Sequence, residues 1–250
     1  YLYVPKFYTD TVGVSATTMG VTIFFARLLD AFSDPVVGAL SDKTRTRYGR
    51  RRPYIALGSL ALGCLIFMIY SPPNLSQWGA TFWFIATMLS LSLVWTLVDV
   101  PCESLWPEIT TSYDERTALF SFREGMTIIG TILAVASPLI IEVAYGLQQA
   151  PADQRFKFSA FGAFYAPIAI ICCWICAIRI KEIKQPPRPA HKFRFWQAWG
   201  QAFKNRPFRI LLGAYAVSAV GANLPATLIL YYVEYVLGGT QPEIFVLMYI

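Results

Sequence analysis

The chain has little charge and almost no histidine. Only 14% of its 250 residues are Asp, Glu, Lys or Arg, and 56% are hydrophobic, whereas soluble domains carry about 25% charged residues. The single histidine, His191, lies in a basic, proline-containing stretch and is a poor candidate for a proton relay. This composition excludes an ordinary soluble domain and indicates an integral membrane protein.

Cysteine is also too sparse to form a disulfide framework. Four of the five cysteines lie in apolar runs, and Cys102 follows a proline, so we expect small, reduced, apolar side chains. Cys172, Cys173 and Cys176 have no histidine or carboxylate beside them, which disfavours a metal site. Because the chain also lacks a nucleophile with a base at workable spacing, we expect neither an enzyme nor a cofactor. It contains no soluble domain of the kind that a sensor would append.

Long apolar runs are abundant, and six of them approach the ~20 residues that span a bilayer. The runs are 17–40, 55–70, 78–98, 126–141, 158–178 and 210–233. Tyr1–Tyr8 is typical of the end of a further span, and Phe245–Ile250 of the start of another. We therefore expect a fragment of a longer protein that crosses the membrane many times.

The positive charges are concentrated in loops between these runs. Residues 41–53 hold six Lys or Arg against Asp42 alone, which is the pattern of a cytoplasmic loop. Loops 41–53, 106–120 and 182–206 are thus predicted to be cytoplasmic, in a bacterial inner membrane. The net charge of +6 then reflects membrane topology, and no nucleic-acid partner is expected.

These loops also divide the chain. The predicted parts are a six-helix bundle at 1–181, a basic linker at 182–206 and the start of a second bundle at 207–250. Within the linker, Trp196–Phe203 has the aromatic spacing of a short interfacial helix. Six spans, a basic linker and further spans are the plan of a six-plus-six transporter.

Three ionisable residues share one face of the first complete span. At about 100° per residue, Arg27, Asp30 and Asp34 fall within roughly 60° of one another. Charges in a membrane helix persist where they turn inward and find partners, and one arginine cannot neutralise two aspartates. A proton or a small cation would balance the remaining charge. The alternative interpretation is structural, with the charges pinning helices together.

Two sequence patterns resemble known transporters. The stretch from Gly38 to Arg52 resembles the signature between the second and third helices of the major facilitator superfamily, and it predicts a cytoplasmic latch. The latch residues are Gly38, Asp42, Arg47, Gly49, Arg50 and Arg51. The alternative is a plain topology signal.

The second pattern combines Phe7-Tyr8-Thr9-Asp10 with the stretch from Ala26 to Pro35. Together they are similar to the glycoside-pentoside-hexuronide:cation symporter family. Asp99-Val100-Pro101 and Asn223-Leu224-Pro225 fit the same pattern, and we expect the second of these to break its helix. The resemblance implies an all-α membrane protein with the major facilitator fold, here its first six-helix half, helix VII and the start of helix VIII.

The resemblance also implies the site. It assigns the coupling cation, Na⁺ or H⁺, to Asp30, Asp34, Asp99 and Thr96, and carboxylate and hydroxyl oxygens suit such ions. No other metal is expected. Candidate solute contacts are Arg123, Arg27, Tyr8, Trp95 and Glu103, with interhelical packing as the alternative role of Arg123, Tyr8 and Trp95. The expected cargo of this monomeric, lipid-embedded protein is a sugar or glycoside, or alternatively another organic solute such as a lysolipid.

Overall fold

A computed structural model describes residues 3–110, 112–146, 151–180, 200 and 203–236. Its helices are α1 (Tyr3–Lys6), a π-helical turn (Phe7–Val12), α2 (Ala16–Lys43), α3 (Arg52–Tyr70), α4 (Gln77–Ile109), α5 (Tyr113–Tyr145), α6 (Pro151–Arg179) and α7 (Arg206–Tyr235). His191, the start of the predicted eighth span and most of the predicted interfacial helix lie outside the described residues.

The chain divides into two compact units, and α1 to α6 belong to the one formed by Tyr3–Lys184. The second unit, Gln185–Ile250, contributes α7. Helix α7 continues through Asn223-Leu224-Pro225, so the predicted helix break at this position was wrong. A membrane helix can lose the one hydrogen bond that a proline removes and still continue.

The first helical segment runs on beyond the predicted span end at Tyr8. It continues to Val12 as a π-helical turn and stops at Gly13, whose φ of 85° is a left-handed conformation that favours glycine. Ser15 then begins α2 by accepting a hydrogen bond from the Thr18 amide at 3.2 Å. This tight corner connects the first helical segment to α2, which carries Arg27, Asp30 and Asp34.

Four of the described helices, α3 to α6, are long and apolar enough to cross a membrane. Helix α2 is equally long at 28 residues, but its ionisable side chains lower its hydropathy. Large apolar side chains such as Trp78, Phe82 and Leu57 are exposed, as expected of a lipid-facing surface. The protein is therefore an integral membrane protein.

The helices are longer than the apolar runs, so the connecting loops are shorter than predicted. Helix α4 ends at Ile109 and α5 begins at Tyr113, so helix occupies most of the predicted loop 106–120. Loop 41–53 likewise shrinks to 44–51. The reason is that a helix can extend beyond the membrane surface, where its charged side chains are in contact with water.

Helix α3 packs against both α4 and α6, and two glycines allow the close approach. A Cβ atom on Gly58 would lie 2.7 Å from Val98 Cγ2, and one on Gly63 would lie 2.5 Å from Ile170 Cδ1. Both distances are shorter than a Cβ atom tolerates, so a larger residue would push the helices apart. This packing fixes α4, which carries Thr96 and Asp99 against α2.

Candidate cation and solute site

Helices α2 and α4 are joined by a seam of polar side chains. The buried Ser92 hydroxyl hydrogen-bonds to Asp30 Oδ1 and lies 3.1 Å from the Ala26 carbonyl oxygen. Further along, Ser33 Oγ donates to Thr96 Oγ1 at 3.2 Å. Two of the predicted cation ligands, Asp30 and Thr96, are thus held by hydroxyl groups of the facing helix.

Both oxygens of Asp30 have partners. Oδ1 accepts the Ser92 hydroxyl, and Oδ2 pairs with Arg27 Nη1 at 3.3 Å. The Asp30 side chain is 18% exposed and that of Arg27 is 60% exposed. The charge of Asp30 is therefore balanced one turn away on its own helix, which leaves Asp34 as the acidic residue of α2 without an adjacent arginine on that face.

Asp99 lies in a second group of charges. The charged groups that act on the half-buried Asp99 carboxylate are Glu103, Arg123 and Asp34. Glu103 in α4 holds Arg123 in α5 through both carboxylate oxygens: one contact joins Oε1 and Nη2, and the other joins Oε2 and Nη1 at 3.4 Å. Such a forked pair fixes geometry as well as charge.

The charges of the site do not balance. Four carboxylates (Asp30, Asp34, Asp99 and Glu103) face two guanidinium groups (Arg27 and Arg123), which leaves two negative charges. Two ion pairs account for Asp30 and Glu103. Within the described residues, neither Asp34 nor Asp99 forms an ion pair, and we call these two carboxylates the acid pair.

The acids of the predicted cation site have different neighbours. Among the residues that the structure describes, no three carboxylate, thiol or imidazole groups come together in a way that could hold one metal ion. Asp30 contacts Arg27 and Ser92, whereas Asp99 lies near Glu103 and Arg123 and is affected less by Asp34. Within the predicted set, Asp30 is therefore ion-paired, and Asp34 and Asp99 are not.

Two aromatic candidates for solute contact lie in different places. Tyr8 is fully buried, donates its hydroxyl to the Ile69 carbonyl at 2.9 Å and packs against Phe84 with ring centroids 4.6 Å apart. This is the interhelical packing that the sequence left open as the alternative, and it leaves Tyr8 no surface for a solute. Trp95 is 47% exposed, one helical turn before Asp99.

Asp42 contacts two of the arginines of the predicted latch. Arg51 donates from Nη2 to Asp42 Oδ1 at 2.8 Å and from Nη1 to the Ser104 carbonyl at 2.6 Å. Arg50 Nε lies 4.0 Å from the same carboxylate oxygen. The buried Arg51 side chain thus connects the end of α2 to α4. The contact with α4 is favourable because Ser104 lies late in that helix, where the backbone carbonyls attract a cation.

The other latch residues divide into close contacts and an exposed turn. Gly38 packs close to α4, because a Cβ atom at this position would lie 3.7 Å from Val100 Cγ1. Gly49 adopts a φ of 117° in the turn between α2 and α3. Arg47 instead lies over the exposed Tyr48 ring at 4.5 Å. The sequence interpretation missed Arg52, which donates to the carbonyl oxygens of Ala177 and Ile178 at the end of α6.

Two further features escaped the sequence interpretation. Ser92 lies four residues before Thr96 and seven before Asp99, so helical spacing alone could have placed all three on one face. Lys157 in α6 is almost completely buried and pairs with Glu142 of α5 at 3.0 Å. The two residues directly flank the apolar runs 126–141 and 158–178, and opposite charges at these neighbouring ends were the available signal.

Comparisons with known proteins agree with this architecture. The family model described as MFS/sugar transport protein matches residues 1–250. The Inner membrane symporter YicJ of Escherichia coli (strain K12) is 31% identical over 247 residues, which cover 98% of this chain and 52% of that protein. The Uncharacterized symporter sll1374 of Synechocystis sp. is 33% identical over 191 residues, or 74% of this chain and 34% of that protein.

A third relative has a named substrate. The Isoprimeverose transporter of Lactiplantibacillus pentosus is 25% identical over 235 residues, which cover 93% of this chain and 48% of that protein. The chain spans about half, or less, of the length of these three relatives. The family match extends over the whole chain, and the charged α2 motif and membrane helices fit it. The chain thus belongs to the glycoside-pentoside-hexuronide:cation symporter family of the major facilitator superfamily.

Proposed function

We propose that this chain is the site-bearing part of a secondary transporter that carries a sugar or glycoside together with Na⁺ or H⁺. The single observation that carries the proposal is that two acids, Asp34 and Asp99, form no ion pair among the described residues and lie near the hydroxyl-lined contact between α2 and α4. Ionisable groups inside a membrane bundle are expensive and mark ion pathways. The name of the isoprimeverose transporter supports a sugar as cargo, and that of the inner membrane symporter supports the location.

In this mechanism the coupling ion neutralises the acid pair. Two like-charged carboxylates repel each other when the ion is absent, and a cation between Asp34 and Asp99 removes that repulsion. Thr96 and Ser33, already hydrogen-bonded to each other, would supply hydroxyl oxygens beside the ion. These are hard oxygen ligands of the type that alkali and alkaline-earth cations prefer.

Coupling to the solute follows because one acid of the pair, Asp99, shares a helix with two of the solute candidates. Trp95, Asp99 and Glu103 succeed one another at four-residue intervals along α4, on one face. Ordering Asp99 by an ion therefore also orders the groups next to it. A solute that binds to those groups gains affinity when the ion is present, and by thermodynamic linkage the ion gains equally from the solute.

Transport then requires the two halves of the full-length protein to expose the site alternately to each side of the membrane. The Asp42–Arg51 pair and the Arg52 contacts with α6 hold the cytoplasmic end of the bundle together. We assign them the role of keeping the six-helix half rigid during this motion. One acid of the site, Asp34, and the acid of the latch, Asp42, are carried by the same helix, α2.

The test uses the full-length protein in liposomes with a panel of labelled mono- and disaccharides. Uptake is measured with and without an imposed Na⁺ or H⁺ gradient. We expect one gradient to drive accumulation, and Asp34→Asn or Asp99→Asn to abolish it, while the control Asp114→Asn at an exposed helix start leaves it intact. Equal gradient-driven accumulation in all variants would refute the cation role, and a failure of every sugar to move would refute the cargo.

A further inference from the structure

The Glu103–Arg123 pair is partly open to its surroundings. The Glu103 side chain is 42% exposed and that of Arg123 is 33% exposed, although both lie within long membrane helices. Charged groups at such positions face a protein interior or a water-filled space instead of lipid. A solute that enters the space beside Asp99 would therefore meet both members of the pair.

The pairing determines what Arg123 can offer a solute. A free guanidinium binds a carboxylate or sulfonate through two parallel N–H donors, but the Nη1 and Nη2 atoms of Arg123 are both directed at Glu103. An anionic solute would either use the remaining N–H donors, whose positive charge Glu103 already balances, or displace Glu103 and leave that carboxylate without its partner. It would also lie close to Asp99, whose environment is already acidic. Like charges that lie close together in such a site repel each other.

An uncharged polyol faces no such obstacle. A carboxylate has about four acceptor positions and a guanidinium has five N–H donors, and the forked pair uses two of each. The remaining acceptors of Glu103 can receive sugar hydroxyl protons, and the remaining donors of Arg123 can bind sugar oxygens. A neutral solute can thus be recognised while the ion pair stays intact.

We propose that Glu103 is a specificity-determining residue: by holding Arg123, it restricts the cargo to uncharged polyhydroxylated solutes and rejects their anionic counterparts. The inference rests on the proposed function and narrows its substrate class. The family name includes glycosides, which are neutral, and hexuronides, which are anionic. The inference assigns this chain to the transporters of neutral solutes. The pair is the single feature that makes the assignment.

The experiment measures solute binding to the purified full-length protein with matched probes. 4-Nitrophenyl β-D-glucoside and the corresponding glucuronide differ only in a CH₂OH group against a carboxylate, and a galactoside–galacturonide pair provides a second comparison. Dissociation constants are measured by isothermal titration calorimetry for wild type and Glu103→Gln. The matched control is Glu124→Gln, which changes an exposed acid on α5.

For wild type we expect the neutral probe of at least one pair to bind more tightly than its anionic counterpart. Glu103→Gln should shift the ratio of the two constants toward the anion by about tenfold or more, because it frees Arg123 and removes one negative charge. The control should leave the ratio unchanged. The charge-swapped double variant Glu103→Arg/Arg123→Glu, which keeps an ion pair, should retain the preference for the neutral probe if Glu103→Gln proves poorly folded.

Three outcomes overturn the proposal. A wild-type preference for the uronides would refute it, and so would an unchanged ratio in Glu103→Gln that still binds. In both cases sugar transport itself would stand. If wild type bound neither member of either pair and moved no sugar in liposomes, the proposed function would fail, and the inference would fail with it. This outcome is distinguishable from the first two, in which sugar transport is retained.

Discussion

Removing the Ser92 hydroxyl tests how tightly α4 holds the carboxylate of α2. The hydroxyl has one proton, two acceptors within reach, Asp30 Oδ1 and the Ala26 carbonyl, and almost no solvent exposure. Ala26 keeps its own helical hydrogen bond in α2, so the loss in Ser92→Ala falls on Asp30. A hydrogen bond to a charged group contributes about 1.5–3 kcal/mol, and we expect the free energy of unfolding to fall by that amount.

The assay is reversible unfolding of the full-length protein in detergent micelles, combined with a double-mutant cycle. Ser92→Ala and Asp30→Asn should show an interaction energy of about 0.5–3 kcal/mol, as directly contacting residues do. Ser59→Ala is the matched control, because Ser59 is equally buried but, among the described residues, donates only to the Ala56 carbonyl of its own helix. Equal losses in Ser92→Ala and Ser59→Ala, or additive losses in the cycle, would refute the reasoning.

Further predictions concern packing and the other ion pairs. Gly63→Ala should destabilise the bundle by about 1–3 kcal/mol through overpacking. Gly130 has open space around it, so Gly130→Ala should be neutral or stabilise the protein by up to about 1 kcal/mol. Thermal unfolding of the two variants tests this difference. Lys157→Met should cost about 3–5 kcal/mol by leaving a carboxylate unpaired, and adding Glu142→Gln should recover part of that loss in the same assay. Arg51→Ala should weaken the latch by about 1.5–3 kcal/mol and speed hydrogen exchange at the end of α4; unchanged exchange would contradict that role.

The charged face of α2 was predictable because helical periodicity is fixed geometry. Arg27, Asp30 and Asp34 had to share a side, and their scarcity in an apolar run showed that the side was buried or wet. A pairing of Asp42 with an arginine was predictable for a different reason, since a lone aspartate surrounded by arginines in a short loop is expected to meet at least one of them. The connection of the latch to α4 and α6 through backbone carbonyls was not, because every residue has a carbonyl and sequence does not mark which one is near.

Partner choice within the site was also beyond the sequence. Arg123 could have paired with Asp99 or Glu103, which lie one turn apart on α4, and only the helix packing selects Glu103. Tyr8 carries a hydroxyl that suits a sugar, but burial against Phe84 and the bond to Ile69 place it in the core. Alternatives of this kind depend on distances between helices, which local patterns do not contain.

The central claim is that a cation bound at Asp34 and Asp99 raises solute affinity. The most direct test is the dissociation constant of a transported sugar for the full-length protein, measured as Na⁺ is titrated at fixed pH and as pH is varied without Na⁺. Coupling free energies of 1–3 kcal/mol correspond to roughly 5–150-fold, and we predict a gain in this range with one ion. The gain should vanish in Asp34→Asn and in Asp99→Asn and persist in Asp114→Asn. An affinity independent of both ions in wild type, or a cation effect that survives in both aspartate variants, would contradict the account.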